Sequence, residues 1–273
     1  MSYETVRSAD GTRIAYERRG EGPPVILIGG AGNSRHFPPI AALPMAELLA
    51  GSFAAYAYDR RGRGDSTDTL PYAVAREIED VAALIEAIGA PVRLFGHSSG
   101  AALVLQAAIA GLPIAAVAVY EPPYSLDAAA VAEAKTYTDG LNRLLAEGRL
   151  GDAAQFYMAM TGMPDEMIAE MRQGPGWTAM ERMAPTLAYD LEMVAAGGGN
   201  YVPRDQIASI RVPLLAMAGG DSPDWMQTVA RSVADAAPLG SYRDFAGKDH
   251  MIEEAHVAPV LIEFFGGSDV AQG

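Results

Sequence analysis

Val92-Arg93-Leu94-Phe95-Gly96-His97-Ser98-Ser99-Gly100-Ala101-Ala102-Leu103-Val104-Leu105 is the stretch whose reading decides the fold. Residues 92–95 are a short, bounded apolar run and read as a buried strand, while 99–110 is rich in Ala and Leu and reads as a helix. Gly96-x-Ser98-x-Gly100 falls between them, the setting of a nucleophile elbow. The pattern by itself would be little more than a serine capping a helix, and its strand–turn–helix context is what gives it weight. Such a turn forces its central residue into a strained backbone conformation, and the two glycines leave room where side chains would clash. Ser98 is then expected to point its hydroxyl away from the sheet, at the positive end of the following helix.

Working outward, the same alternation recurs on both sides. Thr5–Arg7 and Arg13–Glu17 flank Asp10-Gly11, a hairpin signal, so the chain opens with an antiparallel pair. Val25–Ile28 is a continuous apolar run typical of a strand buried on both faces. It enters Gly29-Gly30-Ala31-Gly32-Asn33-Ser34, whose small residues let backbone N–H groups approach a ligand. Ala54–Tyr58 is the next strand, followed by Asp59-Arg60-Arg61-Gly62-Arg63-Gly64-Asp65-Ser66, and 74–88 carries an amphipathic helical stripe. Ala115–Tyr120 is a strand running into Glu121-Pro122-Pro123. Strands alternating with helices in this way predict a mostly parallel, doubly wound sheet of about eight strands.

From 124 to 205 the strand signal disappears, and glycines and prolines break a set of helical segments. Eight of the thirteen methionines lie between Met158 and Met193. The segment is too apolar to stay solvated and reads as a helical lid inserted after the sixth strand. Its methionines serve either as ordinary core filling or as an adaptable apolar wall over a ligand. The alternation resumes with strand 212–218, helix 223–236, strand 241–245 and helix 255–265, and the last residues read as a frayed tail. The core domain is thus expected at 1–123 and 206–273, with the lid at 124–205.

Composition narrows the function. A chain of 273 residues, half hydrophobic and one-fifth charged, can bury a sizeable core. The net charge of −14 and the lack of a basic patch argue against nucleic acid or an anionic membrane surface as partner. There are no cysteines, which removes disulfides, thiolate metal sites and a cysteine nucleophile. Neither a signal peptide nor a membrane-length apolar run is visible, so a cytoplasmic protein, monomer or homodimer, is expected. No P-loop, dinucleotide glycine pattern or metal-ligand spacing appears, and no cofactor or metal is expected.

A serine becomes a nucleophile only with a base in reach, itself oriented by a carboxylate. In open parallel sheets that chemistry gathers at the carboxyl ends of strands. Of the four histidines, His97 lies inside the elbow, His256 in the final helix and His36 after the glycine loop, whereas His250 follows the last strand. His250 is therefore the expected base.

With these pieces in hand, the chain resembles the serine-dependent α/β-hydrolase-fold enzymes over nearly its whole length. The likeness rests on the Gly29–Gly32 loop, on 58–66, on Gly96-His97-Ser98-Ser99-Gly100 and on the His250 loop. It implies an oxyanion hole of backbone N–H groups from Ser99 and from Gly30 or Ala31, although Gly29-Gly30 stands where relatives often carry His-Gly. It also implies an acid, for which two positions compete. Asp221 follows strand 212–218 but one residue earlier than usual. Glu121, fixed by two prolines, is similar to the acid of the fungal zearalenone lactonases, whose Gly-x-Ser-Ser-Gly elbow also matches, and it is the favoured choice. His36, Met158, Trp177 and Met251 are the candidate substrate-binding residues. The implied activity is cleavage of a small hydrophobic ester or lactone through a Ser98 acyl-enzyme. A non-catalytic small-molecule-binding protein, or a cyclase or C–C hydrolase with the same triad, is the alternative within this fold.

Overall fold

The computed structural model describes residues 3–36 and 42–267. Eight strands form one sheet: β1 Glu4–Arg7, β2 Arg13–Arg19, β3 Pro24–Ile28, β4 Ala54–Tyr58, β5 Val92–His97, β6 Ile114–Tyr120, β7 Leu214–Gly219 and β8 Gly240–Phe245. Their order is β1-β2-β4-β3-β5-β6-β7-β8. β1 pairs antiparallel with β2, and β2 with β4, while every other neighbour is parallel. The mostly parallel sheet is the one the alternation predicts, and the arrangement is the α/β-hydrolase fold that the resemblance implies.

The sheet is sandwiched because its central strands are apolar on both faces. In β3, Ile26 and Ile28 face one buried cluster while Val25 and Leu27 face the other. β7 repeats the alternation with Leu214, Ala216 and Ala218 on one side and Leu215 and Met217 on the other. The first cluster is covered by α2 Val74–Ile88, α3 Ser99–Ile109 and α10 Asp224–Ala236; the second is covered by α1 Ala42–Leu49 and α11 Glu254–Gly267. The short helix α1 has no counterpart in the sequence reading. The expected frayed tail lies beyond residue 267, outside the described residues.

Between β6 and β7 the chain is helical, as expected: α4 Ala128–Ala146, α5 Leu150–Met160, α6 Asp165–Gln173, α7 Trp177–Met183, a 3-10 turn at Ala184–Thr186, α8 Leu187–Ala195 and α9 Arg204–Ile207. The boundary expected at 205/206 falls inside α9. Helices α4–α8 have a core of their own, built around Leu141, Leu144, Met158, Ile168, Trp177 and Leu187. At the carboxyl end of that segment, Met193 and Val194 join the core of the sheet instead. Among the described residues, no helix is long and apolar enough to cross a membrane.

Candidate active site

The elbow is built as its glycines require. Ser98 sits at φ 55, ψ −124, a region that a residue with a side chain rarely occupies. A Cβ on Gly96 would meet the Gly100 carbonyl carbon at 2.6 Å, and one on Gly100 would meet Gly29 O at 2.6 Å. The turn therefore closes only with hydrogen at both positions. Its backbone is locked to the next strand, since Ser98 N–H donates to Tyr120 O at 2.9 Å. Gly30 lies against it: a Cβ there would meet the Ser98 Cβ at 3.1 Å.

The adjacent strand ends in a second strained residue. Glu121, directly after β6, has φ 46 and is fully buried. Its carboxylate is held at both oxygens: Oε1 accepts from Gly219 N–H at 2.8 Å, and Oε2 lies 2.6 Å from His250 Nδ1. A buried carboxylate with one oxygen on a backbone donor has a fixed orientation, so the imidazole beside it is oriented too. Nε2 is then the remaining nitrogen of that ring.

The loop carrying His250 is tied down by two side chains that the sequence did not single out for this task. His97 Nε2 lies 3.1 Å from His250 O, and the Tyr120 hydroxyl donates to Asp249 O at 2.7 Å. The His97 and His250 rings pack with centroids 4.5 Å apart. Burial pushes His97 well below the usual histidine range and the neighbouring His250 adds to this, although the contact with His250 O opposes it. His97 is thus neutral, which lets Nε2–H donate to the carbonyl.

Asp221, the alternative acid, is exposed, and among the described residues its hydrogen bonding is through the backbone, Asp221 N–H to Lys248 O at 2.8 Å. It lines a surface cavity of about 150 Å³ with Lys248, Asp249 and the exposed Met251. What the β7 end gives Glu121 is a backbone donor, Gly219 N–H. His36 lies half-exposed with Nε2 3.3 Å from Glu17 Oε1 on β2. Met158 and Trp177 are buried in the insertion's own core, where Trp177 Nε1 donates to Glu181 and the ring lies under Arg172. Packing accounts for both of these side chains without a ligand.

A third set of residues went unread in the sequence, apart from the 58–66 stretch that carries the resemblance. Arg60 forks onto Glu77 with two 2.6 Å bonds, and Arg61 forks onto Asp80 with two 2.8 Å bonds. Arg35 bonds to Glu17, Asp59 and Asp65. Asp190 of α8 reaches this loop from the insertion and accepts from Arg60 at 2.7 Å, Arg63 at 2.6 Å and the Ser99 hydroxyl at 2.7 Å. Burial works to raise the Asp190 pKa, but the Arg63 and Arg60 guanidiniums outweigh it and hold the carboxyl below its ordinary range. The available signal was a lone aspartate in an apolar helical stretch, Leu187–Val194, together with an arginine-rich loop. Pairing across that separation cannot be read from spacing.

Fold and elbow together define the class: an α/β-hydrolase-fold protein with serine at the nucleophile position. The chain belongs to the alpha/beta hydrolase family, whose model matches residues 25–261. An alpha/beta hydrolase from Sphaerobacter thermophilus is 47% identical and superposes with a TM-score of 0.84, covering 96% of this chain and 100% of that one. The Mycobacterium tuberculosis protein BpoC, which carries a provisional non-heme bromoperoxidase name, is 26% identical over 250 residues, 87% of this chain and 90% of that protein. A thermophilic esterase from Thermogutta terrifontis shares the fold, with a TM-score of 0.75 at 19% identity over 98% of this chain and 99% of that one.

Proposed function

We propose that the protein is a serine hydrolase that cleaves a carboxylic ester or lactone of a small hydrophobic substrate. The observation that carries this reading is the 2.6 Å contact between Glu121 Oε2 and His250 Nδ1, beside a strained Ser98 on the neighbouring strand end. In this reading Ser98 attacks the carbonyl while His250 takes its proton, and N–H groups of Ser99 and of Ala31 or Gly30 hold the oxyanion. His250 then returns the proton to the departing alcohol and activates water, which releases the acid from Ser98. Glu121 orients the imidazole and stabilises its cation. Helices α4–α8 act as a lid whose apolar content favours an uncharged substrate.

The name carried by the 26% identical relative supports a second acceptor on the same intermediate. Hydrogen peroxide attacking acyl-Ser98 in place of water would give a peracid and regenerate the serine, with no metal or haem required.

The test is mass spectrometry after exposure to a fluorophosphonate, followed by an ester and lactone panel with and without peroxide. An adduct on Ser98, absent in Ser98→Ala and His250→Ala, is expected, with both variants losing roughly 10³–10⁶ in kcat. A folded protein that forms no adduct and turns over no ester would overturn the reading in favour of a binding protein.

A further inference from the structure

One carboxylate of the inserted segment reaches both sides of the assigned oxyanion hole, Ser99 directly and the Gly30–Ala31 peptide through Arg63. Asp190 is buried, and its two oxygens do different things. Oδ1 accepts from the Ser99 hydroxyl at 2.7 Å, and Ser99 is the first residue of α3, so its backbone N–H is one of the first-turn donors without an intrahelical partner. Oδ2 accepts from Arg63 Nη2 at 2.6 Å, and the same guanidinium donates through Nη1 to Gly30 O at 2.8 Å. Thr186 Oγ1 accepts from Arg63 Nε at 3.1 Å and completes its cradle.

The Gly30 carbonyl and the Ala31 N–H are the two ends of one peptide unit. In a trans peptide they point in opposite directions, so the bond that draws Gly30 O toward Arg63 aims Ala31 N–H away from it. The loop is Gly29-Gly30-Ala31-Gly32, and little in its own sequence would stop that peptide from rotating. Within the loop Asn33 N–H reaches the same carbonyl at 3.3 Å, and Arg63 adds a shorter, charge-assisted bond from outside it.

We propose that Asp190 and Arg63 are positioning residues that set both oxyanion donors, so that docking of α8 on the core assembles the oxyanion hole. Asp190 fixes Ser99 directly and fixes the Gly30–Ala31 peptide through Arg63. This rests on the hydrolase reading above. It makes α8 the anchored end of the insertion, with catalytic competence conditional on its seating.

A purely structural ion network would lower stability and leave the chemistry intact, and a matched control exists. Arg61 of the same loop and Asp80 of α2 form an equally buried pair, and among the described residues neither bonds to Gly30 or Ser99. The full-length protein would be assayed on its best ester as wild type, Arg63→Gln, Asp190→Asn, Arg63→Lys and Asp80→Asn, at a temperature where each is folded. Phenylboronic acid, which forms a tetrahedral adduct on the serine, would be the affinity probe.

Arg63→Gln and Asp190→Asn are expected to lose about 10- to 100-fold in kcat, short of the full loss of a donor, with KM within about threefold. Boronate affinity should fall by a similar factor, and the pH profile of kcat/KM should be unmoved. Arg63→Lys, which keeps a charged donor, should recover part of the loss. Asp80→Asn should lose stability but keep kcat within about twofold. Ser99→Ala removes only a hydroxyl, so it serves if the charge variants do not fold; it should cost about 3- to 10-fold in kcat. Equal kcat losses in Asp190→Asn and Asp80→Asn, unchanged boronate affinity in Arg63→Gln, or full activity in Ser99→Ala would overturn the proposal while the hydrolase reading stood. A wild-type protein with no Ser98-dependent turnover would overturn both.

Discussion

Lowering the pH should destabilise this protein through His97 before its carboxylates titrate. His97 is completely buried beside His250, and burial holds its folded pKa well below the ordinary 6.5. The unfolded chain takes up a proton below pH 6.5 that the folded protein refuses. The stability tied to His97 is therefore fully present above 6.5 and is lost as the pH falls toward the folded value, by about tenfold in the folding equilibrium per pH unit. Between pH 7.5 and pH 5 this amounts to about 2 kcal/mol, or roughly 4–8 °C in melting temperature for a domain of this size. Aspartates with depressed pKa values, Asp190 and Asp10, contribute in the same direction only lower down, as the pH drops below about 4. Asp59 and Asp80, raised by burial, act with the opposite sign, losing their contribution as pH rises. To isolate the histidine, calorimetric melting of the wild type and His97→Asn would be compared from pH 7.5 to 5. Contributions from other groups cancel in the difference. The variant starts lower because it loses the contact with His250 O, and the two curves should converge as the pH falls. Parallel curves would refute the reasoning.

Three further outcomes are expected. Glu121→Gln keeps an acceptor for Gly219 N–H but cannot hold the correct imidazole tautomer, so kcat should drop about 10³- to 10⁴-fold, whereas Asp221→Asn should stay within about twofold; steady-state kinetics on one ester checks both. Gly96→Ala drives a Cβ to 2.6 Å from the Gly100 carbonyl carbon and 2.7 Å from Val104 Cγ2, so about 1–3 kcal/mol should be lost, roughly 3–10 °C in thermal melting. Tyr120→Phe removes the bond to Asp249 O and frees one side of the His250 loop; kcat should fall about 3- to 10-fold with little change in melting temperature, the loss of one hydrogen bond being worth about 1 kcal/mol.

The sheet was legible because its signals are local. The four apolar residues Val25–Ile28 have to be a strand covered on both faces, and the structure gives them one cluster on each side. The elbow was legible for a related reason: hydrogen, serine and hydrogen at 96, 98 and 100 is a steric specification as much as a motif. The helix at 42–49 was missed, since Ala42-Leu43-Pro44 offers no cap and the stretch is too short for a clear period. Met158 was drawn from the methionine enrichment of the inserted segment, and composition does not distinguish a methionine over a ligand from one in a small core. Met158 and Trp177 pack in the latter.

What the sequence alone determined is therefore the order of elements, the alternation behind a mostly parallel sheet and the strained serine between β5 and α3, because each depends on residues near one another in the chain. What only the tertiary structure decided is which side chains meet across it. Glu121 and Asp221 are equally carboxylates on paper. The 2.6 Å approach of one to His250, and the exposure of the other, depend on how β6, β7 and the loop after β8 lie side by side. Asp190 and Arg63, 127 residues apart, meet for the same reason. A buried charge must find its opposite to remain folded, but which opposite it finds is set by packing rather than by the local chain.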